Sequence, residues 1–210
     1  MGLARQERHI IALDTPANLS AQYQPRETLD LPNHLLIPGL INTQCHALGI
    51  VSRGRAAPSD VFAAPLALEP DGNPEAFSGD ELFAAAQLAF TEMMLAGTTT
   101  CADLSPFSEI VAKAAEAVGI HAQISVPVTD EANAWADSAQ QGLERALALH
   151  DTYAPHPRIG IALGLPNLAP IHRHTLLKVA IDAEALGLAV LVATHPTPAH
   201  AVPSSRAPAR

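Results

Sequence analysis

The chain has 210 residues, 48% of them apolar and 16% charged, which excludes a disordered polar chain and allows a sizeable core. A net charge of −9 repels phosphate backbones, so nucleic acid is not expected as a partner. No run approaches the roughly 18 to 20 apolar residues of a membrane span, and Met1 to Leu13 lacks the apolar centre of a signal peptide, so the expectation is a cytoplasmic protein without a membrane partner.

In chain order, the first 35 residues offer one strand, His9 to Leu13, and then a polar stretch spaced by prolines. An apolar strand then leads into Asn42-Thr43-Gln44-Cys45-His46. Residues 55 to 77 are rich in Ala, Pro and Asp and read as a long loop. Ser78-Gly79-Asp80-Glu81 has the spacing of a capping box. The helix it starts runs to about Ala96, with Leu82, Ala86, Ala89 and Met93 on one face and Gly97 as its stop. Thr98 to Asp103 reads as a buried strand.

The same unit then repeats. Ser105-Pro106 suggests an N-cap followed by a first-turn proline, with the helix running to Val118 and Gly119. Ile120 to Val126 is the next strand. A helix from about Asp137 to His150 precedes the strand Ile159 to Leu163. A helix from about Thr175 to Leu186, stopped by Gly187, precedes the strand Leu188 to Thr194. This alternation implies parallel βαβ units. Periodicity leaves open whether they form an open doubly wound sheet or a closed barrel, although no Gly-rich phosphate loop follows any strand. Pro196 to Arg210 has no packing pattern and reads as a disordered tail.

The two cysteines, Cys45 and Cys101, form no CxxC pair, so a disulfide framework is not expected and a reducing compartment is the default. The chemistry-bearing segment is the strand end at Gln44-Cys45-His46. Side chains two apart on a strand project to one side, so two histidines in those places could share a metal ion. Here His46 stands alone and Gln44 offers a neutral amide. His172-Arg173-His174 has the same spacing but precedes a helix.

Three stretches carry a family resemblance. They are Leu31-Pro32-Asn33-His34-Leu35-Leu36-Ile37-Pro38-Gly39-Leu40-Ile41-Asn42-Thr43, Glu92 to Asp103, and Ala146 to Asp151 followed by Ile159 to Gly164. Together they resemble the amidohydrolase superfamily, in its methylthioadenosine/S-adenosylhomocysteine deaminase and triazine hydrolase branch, over about residues 8 to 195. The resemblance implies an α/β fold, a partial TIM-type (β/α) barrel of about five strands over residues 36–195. A remnant of a small β domain (1–35) would precede it and the tail (196–210) would follow.

It further implies one divalent metal, zinc, and hydrolysis of a C–N bond in a small heterocyclic substrate. The family pattern expects a histidine at Gln44, a His-Ala-Pro segment near Leu165 to Pro170, a metal ligand near Ala193 and a glutamate at Pro196. His46 and His195 remain as candidate metal ligands, and no residue is assigned a catalytic role. The expectation is therefore an amidohydrolase truncated after its fifth barrel strand and inactive as a hydrolase. The alternative is a non-catalytic interaction protein that pairs its open barrel edges with a partner, or a weak metal binder; self-association through those edges is also expected. The Pro/Ala/Ser/Arg-rich tail has the composition of GC-rich coding DNA read out of frame.

Overall fold

The computed structural model describes residues 1–53, 77–133, 135–168 and 171–193. The expected loop at 55 to 77, apart from Phe77, and the expected tail lie outside them. The chain divides into two compact units after Pro38.

In the first unit, β1 (Gly2–Gln6) pairs antiparallel with β2 (His9–Asp14). Glu7 takes a left-handed conformation in the tight turn between them. Only β2 has the apolar run that marks a strand, so β1 was not expected. A short helix α1 (Pro16–Gln22) follows, within the stretch read from sequence as polar and spaced by prolines. Its start has local causes: the Thr15 side chain accepts from Asn18 N–H at 3.2 Å, and Pro16 occupies the first turn.

The second unit is a single parallel sheet. Its strands are β3 (Leu40–Cys45), β4 (Thr98–Asp103), β5 (His121–Pro127), β6 (Ile159–Leu165) and β7 (Ala189–Val192). They lie side by side in chain order, every pair parallel. A doubly wound sheet reverses its strand order at a switch point, and this one never does. Each new unit adds to the same edge, as in a (β/α) barrel, and the five strands form a curled half-barrel.

Four helices connect the strands: α2 (Gly79–Leu95), α3 (Ser108–Val118), α4 (Ala139–Tyr153) and α5 (Arg173–Leu186). The capping box at Ser78 and Glu81 forms as its spacing predicts. Gly97 and Gly187 take positive φ beyond the ends of α2 and α5, a conformation that favours glycine. α3 starts later than expected. Phe107, at φ 53°, is its N-cap, because Ser105 is committed elsewhere.

The helices cover one face of the sheet. Cys101, Ala122, Ile124, Val126, Ile159, Ile161 and Leu163 point into that layer and pack with Leu82, Ala86 and Phe90 of α2 and with alanines of α3. Small helix residues let the helices approach closely, so one continuous core results. Large apolar side chains stay exposed along the outer strands, among them Ile41 at 67% and Val192 at 42%. Among the described residues no helix is long and apolar enough to cross a membrane.

Candidate metal centre at the end of the first barrel strand

A register irregularity shapes the end of β3. Asn42 aligns with Cys101 and Cys45 with Asp103, so three steps on β3 match two on β4. The bulge leaves Asn42 and Cys45 on the helix side. The Asn42 Nδ2 donates to Met93 Sδ of α2 at 3.6 Å, and the Cys45 thiol lies 4.0 Å from the same sulfur. Gln44, exposed, and His46, half-buried, flank Cys45 in the chain, and strand alternation turns them away from its side.

Four successive residues at this end are tied to the turn after β4. Leu104 N–H donates to the Cys45 carbonyl at 2.9 Å. His46 Nδ1 meets the Leu104 carbonyl at 2.8 Å. Ala47 N–H donates to Asp103 Oδ2 at 2.7 Å, and Leu48 N–H approaches Ser105 Oγ at 3.5 Å. Asp103 also accepts from Ser105 N–H at 2.9 Å, and the Ser105 carbonyl accepts from Ser108 Oγ at 3.1 Å. Ser105 thus serves this turn instead of capping the helix, which is why α3 begins at Ser108.

Asp103 is fully buried. Burial pushes its carboxyl up, the N–H groups of Ala47 and Ser105 pull it down, and the balance lies above the ordinary carboxylate range. The Cys45 thiol is pushed far above its ordinary value, first by its hydrogen bond with Cys101, then by burial and by Asp103. It therefore stays protonated and serves neither as nucleophile nor as ready metal ligand.

Further round the sheet, His172 and His174 lie at the start of α5. Their rings stack at 5.5 Å. Asp130, from the segment after β5, gathers this end: it accepts from His172 N–H at 2.6 Å, from Thr175 Oγ1 at 2.6 Å, and lies 2.9 Å from His172 Nδ1. Burial opposes its charge, but these donors outweigh it and hold the carboxyl below its ordinary range. The His-x-His spacing here serves a helix start. Asp130 was missed from sequence. Its signal was a carboxylate three residues past the end of an apolar strand.

A second tie fixes the loop before α4. Trp135 Nε1 donates to Glu109 Oε2 at 2.9 Å, and Arg145 lies 4.9 Å over the indole. Ser125 Oγ is buried with no hydrogen-bond partner among the described residues, beside Gly164 and Leu104.

Residues 35–199 match the model of the Amidohydrolase family. The chain belongs to the amidohydrolase family. It is 36% identical over 178 residues to a 5-methylthioadenosine/S-adenosylhomocysteine deaminase of Teredinibacter turnerae, covering 84% of this chain and 40% of that protein. Among solved structures it resembles an adenosine deaminase from Xanthomonas campestris with bound zinc, at TM-score 0.80 and 25% identity, covering 90% of this chain and 43% of that one. A triazine hydrolase from Arthrobacter aurescens shares the fold at TM-score 0.60 and 22% identity. The chain thus spans about two fifths of the length of the relatives it matches.

Whether this amidohydrolase strand end suits a zinc ion can be judged from its donors. A catalytic zinc site takes three protein ligands and an open position. His46 has one ring nitrogen free, Gln44 offers a neutral amide oxygen, Cys45 is a protonated thiol facing the helices, and Asp103 is turned to backbone N–H groups. Among the described residues no three His, Cys, Asp or Glu side chains form a metal-binding group. Ala193, near which the family pattern expects a ligand, directly follows β7, donates its N–H to the Leu165 carbonyl at 2.9 Å and carries only a methyl group. His195 and Pro196 lie outside the described residues. The described donors do not fit a catalytic zinc, and no hydrolytic step follows from them.

Proposed function

We propose that this chain carries an altered metal site of a deaminase-type amidohydrolase. In this reading it binds a divalent cation weakly through His46 and does not by itself hydrolyse the C–N bond of an adenosine-like or triazine substrate. The single observation that carries the reading is Gln44. It occupies the place two residues before His46 where a second imidazole would have to stand, and an amide oxygen is a poor donor to zinc. The relatives' printed activities supply the substrate class, and the donor set at β3 supplies the loss. The test is zinc content of the purified chain, measured together with ammonia release from methylthioadenosine, adenosine and a triazine. Substoichiometric zinc and no turnover are expected. One zinc per chain with turnover overturns the proposal.

A second reading, self-association, is favoured by the outer strands. Among the described residues β3 and β7 each have one neighbouring strand, and Leu40, Ile41, Val190 and Val192 are exposed along them. Sedimentation velocity across a hundredfold concentration range tests it. A single monomeric species throughout would remove this reading.

A further inference from the structure

The structure assigns Asp103 the role of a positioning residue that holds His46 in the tautomer with Nδ1 protonated and Nε2 bare, facing away from the turn after β4. A carbonyl oxygen only accepts, so the 2.8 Å contact of Nδ1 with the Leu104 carbonyl requires a proton on Nδ1. In the neutral ring Nε2 then carries the lone pair. His46 meets any ligand as an acceptor toward N–H or O–H groups, or as a donor of electrons to a cation.

The contact depends on where the Leu104 carbonyl sits, and Asp103 sets that position. Its two oxygens grip opposite sides of the turn, Oδ2 holding Ala47 N–H beyond the histidine and Oδ1 holding Ser105 N–H beyond the leucine. Leu104 and His46 are each bracketed between a strand residue and a clamped amide. The Leu104 side chain adds a third restraint, since it fills the space that a Cβ on Gly164 would take. Asp103 is fully buried and grips backbone amides, so its influence on the site runs through the ring of His46.

This orientation is independent of metal occupancy, so its failure and the failure of the weak-metal reading are separable. The experiment is ¹⁵N–¹H correlation of the His46 ring in the metal-free chain at a pH of about 8, where imidazole is neutral. The wild type is expected to show a protonated Nδ1 and an unprotonated Nε2. In D103N one carboxylate oxygen becomes an amide NH₂ facing a backbone N–H. The ring is then expected to shift toward the Nε2-protonated form that free histidine favours, while far-UV circular dichroism stays unchanged. Asp103→Asn with unchanged ring signals, or a wild type protonated on Nε2, overturns the assignment. If D103N does not fold, hydrogen exchange of the wild-type Ala47 and Ser105 amides decides. Exchange as slow as that of core strand amides is expected, and rapid exchange overturns it.

Discussion

Replacing Gln44 by histidine should turn the end of β3 into a cation-binding pair. Side chains two apart along extended chain project to one side, which would put position 44 at the end of β3 beside His46 just past it. Gln44 is exposed, so an imidazole there displaces no packed neighbour and carries no burial cost. Structural zinc sites bind with about 10–16 kcal/mol over four ligands, or ~3 kcal/mol per ligand. At about 1.4 kcal/mol per tenfold, one added imidazole should tighten zinc by roughly 100-fold. The assay is competition with a chromophoric zinc chelator near neutral pH, using H46A and the double variant Q44H/H46A as references. H46A should bind more weakly than wild type, and the double variant no better than wild type. If Q44H is folded and binds no tighter than wild type, positions 44 and 46 do not share a side, and the alternation argument is wrong.

Phe90, fully buried on α2 in the common core, should cost about 3–5 kcal/mol of stability when replaced by alanine, read by denaturant unfolding. Gly164→Ala pushes a methyl group into Leu104 and against Ser125, and should destabilise by about 1–3 kcal/mol, visible as a lower melting temperature. Asp130 has a folded-state pKa below its unfolded value, so it stabilises the fold above the unfolded pKa and loses that contribution as pH falls through the folded one. Wild type should therefore exceed D130N in stability at neutral pH, and the two should converge below a pH of about 4 in melting curves taken across pH. A constant difference down to strong acid would contradict this.

The barrel rhythm was legible from residue 78 onward because each unit there punctuates itself locally. The capping box at Ser78 and Glu81, and the glycines at 97, 119 and 187, act within one turn of chain, so pattern reading finds them. Strand order is not local. The rhythm of alternation fits an open sheet as well as a barrel, and only the sequential pairing of β3 to β7 decides for the half-barrel. β1 escaped because Gly2-Leu3-Ala4-Arg5-Gln6 has no alternating apolar face and is held by pairing with β2. The late start of α3 escaped for a related reason. Ser105-Pro106 is a good local helix start, but Ser105 N–H and Oγ are taken by Asp103 and by the approach of Leu48, both contacts set by tertiary structure.

At the strand end the same division separates scaffold from chemistry. The four ties from residues 45–48 to residues 103–105 use backbone groups, the His46 ring, Asp103 and Ser105. None uses the side chain at position 44, whose backbone N–H donates to Asn42 Oδ1 at 3.1 Å. A change at position 44 therefore costs the fold little, whereas a change at Asp103 leaves two amide donors without their carboxylate. Position 44, which the proposed reading makes decisive for metal affinity, is thus free to vary while the clamp around His46 is held by folding. On the proposed reading, this is how the strand end can keep its backbone arrangement while its donor set varies. The asymmetry has a measurable form: Q44A should leave the unfolding midpoint near the wild-type value, whereas D103A should lower it by far more, and equal losses would refute the division.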